Sequence, residues 1–99
     1  MALQVVFHRL AAHEVWAAEV WYAKRSVEVA ERFRHAVGVA IGRIVDNVGT
    51  HSIGGTRFRY ANVPRFPYRL IFLVESNEVA KVVAAAHYRR RPYYWRRRD

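Results

Sequence analysis

The stretch Tyr68-Arg69-Leu70-Ile71-Phe72-Leu73-Val74-Glu75 constrains the fold most. Side chains alternate across a strand, and here both resulting faces are apolar apart from Arg69. A strand apolar on both faces belongs in the centre of a sheet. The chain has 99 residues, enough for one domain, 1–99. Apolar residues make up 53% of it, which favours a packed core over disorder.

The remaining elements are placed around that strand. Leu3-Gln4-Val5-Val6-Phe7 reads as a short strand. From Leu10 to Ala23 the pattern is helical, with Ala11, Val15, Ala18 and Tyr22 on one apolar stripe. Trp16 and Trp21 fall off the stripe on opposite sides. They either pack under a loop or the C-terminal segment, or present a docking surface. Lys24-Arg25-Ser26 forms a tight link, with Ser26 as N-cap of a second helix that runs to about Asn47. Its apolar positions Ala30, Phe33, Val37, Ala40, Ile41, Ile44 and Val48 pack along one side. Gly38 and Gly42, four apart, are expected to permit close helix approach. Gly49 supplies a left-handed residue after the helix. Thr56 to Tyr60 alternates, placing Arg57 and Arg59 on one face and Phe58 and Tyr60 on the other. A loop with two prolines follows, then the central strand, a Ser76-Asn77 turn and a last strand, Glu78 to Ala86. The expected fold is α+β in the order β-α-α-β-β-β, an antiparallel sheet with a two-helix hairpin on one face. Arg57, Arg59 and Arg69 would then share the open face.

Charge is unevenly placed along the chain. Residues 1–50 carry six Lys/Arg against five Asp/Glu, and residues 51–99 carry eleven against three, so the second half holds +8 of the net +9. Segment 87–99 alone contains six arginines with Tyr88, Tyr93, Tyr94 and Trp95. It is either a solvated basic tail or a contact surface for an acidic partner, with rings for stacking. A field of this sign favours nucleic acid, ribosome or an acidic protein. The chain has no cysteine, no signal-peptide pattern at its start and no apolar run long enough to span a membrane, so the expectation is a cytoplasmic protein that uses no disulfide.

The chemistry of most enzyme classes is missing. His8, His13, His35, His51 and His87 are scattered without metal-ligand spacing, no cofactor is expected, and Gly54-Gly55 alone makes no phosphate loop. No serine has an evident base, and the acids lie mostly in the helices.

Several motifs, taken in order, carry a resemblance. They are Trp21-Tyr22-Ala23-Lys24-Arg25-Ser26, Ala30-Glu31-Arg32-Phe33, Arg65-Phe66-Pro67-Tyr68-Arg69, and the ending Ala86-His87-Tyr88-Arg89-Arg90-Arg91-Pro92-Tyr93-Tyr94-Trp95. Over nearly the whole chain this resembles the RelE/ParE superfamily of type II toxin–antitoxin systems, nearest its plasmid-stabilisation, ParE-like branch. The resemblance implies a growth-inhibiting toxin held in a hetero-oligomer by an acidic, partly disordered antitoxin. ParE-like members bind DNA gyrase, and RelE-like members cut messenger RNA on the ribosome. By position, Arg57 and Arg59 match a basic pair, Arg69 and Arg89 match phosphate-binding arginines, and Tyr94 or Trp95 matches a base-stacking tyrosine. Arg65 and Arg91 complete the cationic set, and Trp16 and Trp21 are the candidates for antitoxin contact.

Proton transfer separates the two activities. Arginine keeps its proton, so Arg57 and Arg59 can bind phosphate but cannot act as a base. His87 is the one histidine expected near the groove, and it is either a base or a packed strand-end residue. The leading expectation is therefore a ParE-like toxin that binds a macromolecular target. The alternative is a metal-independent endoribonuclease drawing on Arg57, Arg59, Arg69, His87, Arg89 and Tyr94. A second alternative is a non-toxic basic nucleic-acid-binding module.

Overall fold

The computed structural model describes residues 3–99. The chain runs β1 (Gln4–Phe7), α1 (Arg9–Ala23), α2 (Val27–Asp46), β2 (His51–Ser52), β3 (Arg59–Asn62), β4 (Tyr68–Val74) and β5 (Val79–His87). The strands form one sheet in the order β1-β5-β4-β3-β2, so β4 is central, as its two apolar faces require. The helical hairpin covers one face.

This is the α+β fold with a two-helix hairpin, with two departures from the expected order. A two-residue strand, β2, precedes β3 and pairs with it. In addition, β1 pairs with β5 in parallel, Gln4 opposite Val79 through Phe7 opposite Val82. The other pairings are antiparallel. Short connections force antiparallel neighbours, but the whole helical hairpin and three strands separate β1 from β5, so their direction is unconstrained by a turn.

Helix α1 starts at His8, whose Nδ1 accepts the Leu10 N–H at 3.0 Å. Ala11 and Ala18 on its stripe are buried against the sheet, and Val15 and Tyr22 pack beside them. Helix α2 is capped by Ser26, whose Oγ accepts the Val29 N–H at 3.2 Å. Its buried positions include Ala30, Phe33, Val37, Ala40 and Ile44, while Val48 lies past the helix end in water. The helix ends at Asp46, three residues before Gly49: Asn47 takes the left-handed conformation at φ 54°, and the Val48 N–H bonds back to the Arg43 carbonyl. Gly49 is also left-handed, at φ 68°. Gly38 and Gly42 allow no close approach, because a Cβ at either would meet no atom within 4 Å.

The sheet has two packed faces. Toward the helices, Leu70, Phe72, Ala80, Val82 and Ala85 meet Phe33, Ile44 and their neighbours. A ring cluster of Tyr22, Phe33, Phe66 and Tyr68, with centroids 5.1–5.5 Å apart, closes one end. On the outer face, Phe58, Ile71, Leu73, Val83 and Ala84 are buried under the C-terminal segment. A bulge opposite Ile71 and Phe72 turns both Val83 and Ala84 to that side. The segment is therefore folded rather than a solvated tail: Trp95 is 5% exposed and packs edge-on against Phe58 at 4.6 Å. Among the described residues no helix is long and apolar enough to cross a membrane.

Candidate functional site

The C-terminal segment is held by one carboxylate. β1 ends opposite Val82, so beyond it the edge of β5 has no strand partner. Two side chains take over there. Glu14 Oε1 accepts the Ala85 N–H at 3.0 Å, and Arg98 donates to the Val83 carbonyl at 3.1 Å. The pair also bonds to itself, Arg98 to Glu14 at 2.8 Å. Tyr94 donates its hydroxyl to the other oxygen of Glu14 at 2.8 Å, and Arg90 lies 3.7 Å away. Burial, and then the bond to Glu14, push the Tyr94 phenol well above its usual range. Farther along, Asp99 pairs with Arg57, and its carbonyl accepts from Lys81 Nζ at 3.2 Å.

Anchored in this way, the segment stands off from β3 and β4 at one end and leaves a cleft of about 400 Å³. Ser52 to Gly54, Tyr60, Arg69 and Ile71 line one part of it, and His87, Tyr88 and residues 90–95 line the rest. Arg69 is its central cation. Register puts it opposite Asn62 and Ala86, on the outer face. Its guanidinium lies 4.5 Å from the Tyr60 ring and 4.9 Å from the Tyr88 ring. Tyr88 is fixed in turn by its hydroxyl donating to Asn62 at 3.1 Å and by its N–H bonding to the Pro67 carbonyl. Among the described residues no carboxylate is within ion-pair reach of Arg69. Two rings thus fix a guanidinium whose N–H edges remain free for an oxyanion such as phosphate or carboxylate. Tyr93, at φ 60°, is held in the left-handed region at the cleft wall, a conformation that costs an aromatic residue and needs surrounding packing to persist.

Of the residues expected at the site, Arg69, His87, Arg91, Tyr94 and Trp95 do line this cleft. Trp95 enters it as a buried wall. Arg57 and Arg59 do not join them. Arg57 precedes β3 and is paired with Asp99. Arg59 stands opposite Phe72, whose side chain faces the helices, and donates to Ser52 Oγ at 2.9 Å and Thr50 Oγ1 at 3.0 Å. Phe58 and Tyr60 share a face and Arg59 takes the other, but the sense is the reverse of the one expected. The outer face is itself apolar under the C-terminal segment, so it takes Phe58 and Tyr60 and sends Arg59 to the other side. Arg65, at φ 69°, borders a separate groove along α2 with Arg32, His35 and Arg43. Arg89 is exposed just outside the cleft lining.

His87 borders the cleft, yet its ring packs edge-on against Tyr68 at 5.0 Å, and Tyr68 belongs to the helix-side core. Its Nδ1 accepts the Arg89 N–H at 3.0 Å, so the neutral ring carries its proton on Nε2. Arg69 and His87 thus come from opposite faces of neighbouring strands. Trp16 and Trp21 are 59% and 52% exposed, but they do not form one patch. Trp16 stands beside His13, whereas Trp21 borders a cleft of its own between α1 and the C-terminal segment. Among the described residues no three His, Cys, Asp or Glu side chains are grouped to hold a metal ion.

Glu14 was missed in the sequence because a lone acid on a helix carries no motif. The available signal was charge balance, since a segment with six arginines needs an acid to fold back on. Comparison with family models, with curated proteins and with solved structures finds no match to this chain.

Proposed function

We propose that this chain is a growth-inhibiting toxin of a type II toxin–antitoxin pair, ParE-like, which binds a macromolecular target in the cytoplasm and is neutralised by an acidic, partly disordered antitoxin. DNA gyrase is the target that the ParE-like resemblance implies. The observation that carries the binding mechanism is the outer cleft, which holds an oxyanion-ready arginine and lacks a well-placed base. Arg69 is fixed between two tyrosine rings. Arg57 and Arg59 lie outside the cleft, and Tyr94 is committed to Glu14 with its proton held tightly. Such a site can grip an acidic surface, whereas strand cleavage also requires proton transfer.

His87 favours a second reading. It borders the same cleft, and its ring has one nitrogen that can donate and one that can accept, so a ribosome-dependent endoribonuclease would place Arg69 on the phosphate and His87 in proton transfer. Inducing the chain alone and assaying gyrase supercoiling and message integrity from the same cells separates these readings. Lost supercoiling with intact messages is the expected result. Cleaved messages with normal supercoiling would replace it with the nuclease, and undisturbed growth would leave the non-toxic nucleic-acid-binding module.

A further inference from the structure

The cleft beside Trp21 encloses about 570 Å³, within the roughly 300–1,000 Å³ of ligand pockets. Ala17, Ala18 and Ala85 contribute only methyl groups to its lining, while Trp21 and Tyr22 from α1 and Tyr68 from β4 contribute rings. Small side chains leave the space and rings surround it, a shape suited to one bulky apolar side chain. The Trp21 ring is braced for this. Arg25 lies 3.5 Å over the ring and donates to the Trp21 carbonyl at 2.9 Å. Trp21 as a residue is nevertheless half exposed.

Charge selects the occupant. The carboxylate in the cleft lining, Glu14, already serves Tyr94, Arg98 and the Ala85 N–H. Two guanidinium groups, Arg90 and Arg98, share that one acid, with Arg90 half exposed, and a third, Arg25, lies over the Trp21 ring with no carboxylate partner among the described residues. The geometry points to an anchor site for an acidic protein segment, which inserts an aromatic or aliphatic side chain beside Trp21 and sets its carboxylates against Arg25 and Arg90. The inference rests on the acidic-partner half of the function proposed above. It gives that partner a location distinct from the Arg69 cleft.

The three tryptophans provide the test, because each gives one indole N–H signal in the NMR spectrum, assignable by single changes to Phe. The titrant is a blocked pentapeptide with two acidic residues on each side of a phenylalanine. The expected result is a saturable shift of the Trp21 signal, with those of Trp16 and Trp95 still. A glycine in place of the phenylalanine should weaken binding about tenfold to a hundredfold, the loss typical of a buried anchor. Ala17→Glu, which fills the cleft with bulk and like charge, should abolish the shift without changing the melting temperature. No shift at millimolar peptide, binding that survives Ala17→Glu, or a Trp21 shift produced by short single-stranded RNA and not by the peptide would overturn the inference. Growth arrest is scored separately. A toxic chain that ignores the peptide overturns this site alone, and a harmless chain that binds it overturns only the toxin.

Discussion

Glu14 sits where β1 has ended and β5 continues, with 13% of its side chain exposed, and it completes the sheet edge with Arg98. Removing one partner of a buried ion pair leaves the other charge uncompensated, at about 3–5 kcal/mol. Glu14→Ala should therefore lose roughly that much in urea unfolding. It should also expose Trp95, seen as a red shift in its emission. His8 adds a pH dependence. Partial burial, and then the charges of Lys81, Arg98 and Arg9, hold its imidazole below the usual 6.5, with Glu14 opposing them. The folded state thus binds this proton less tightly than the unfolded chain. Stability is complete above pH 6.5 and declines as pH falls through the lowered value, because a protonated Nδ1 can no longer accept the Leu10 N–H. Asparagine caps a helix without titrating. His8→Asn should flatten the stability profile between about pH 7 and 5, measured by urea midpoints. No motif marks either residue in the sequence: a histidine cap is uncommon, and charge balance asks for an acid without choosing Glu14, whose partners lie more than 70 positions away.

At the scale of elements, the sequence was most legible where one physical rule acted alone. The stripe of α2 buried Phe33 and Ile44, Ser26 capped it, and the doubly apolar β4 took the centre. It was least legible where two elements compete for a face. A central strand with two apolar faces demands cover on both. The helices supply one cover, so the C-terminal segment had to be the other, with its tryptophan turned in. Charge pattern alone made that segment a surface, and the same error misplaced Arg59. Two predictions follow at this scale. Trp95→Ala should cost about 3–5 kcal/mol, as large aromatic truncations in cores do. Deleting residues 93–99 should yield a protein that binds a hydrophobic dye or aggregates, since Phe58 and Leu73 lose their cover. A deletion that stays monomeric and melts like the full chain would refute the packed segment. Gly38 and Gly42 point the other way. Both are helix-interior positions with open space around them. Alanine at each should raise stability by about 0.4–1 kcal/mol, read as a higher urea midpoint at unchanged slope.

For the molecule as a whole, the fold divides its labour between two clefts on either side of the C-terminal segment. One is organised by Arg69 and opens on the outer sheet face, and the other is organised by Trp21 beside α1. Glu14 and Arg90 contribute to the mounting of both. The net charge of +9 favours acidic partners at long range, and on the proposed reading Arg69 would supply the fixed, directional contact at short range. That role for Arg69, with no proton moved by His87, is what the proposed function turns on. The most direct measurement is growth arrest on induction of the Arg69→Ala and His87→Ala variants, each first shown to melt as the parent does. The account predicts that Arg69→Ala grows freely and that His87→Ala still arrests growth. Arrest that persists in Arg69→Ala and vanishes in His87→Ala would contradict it.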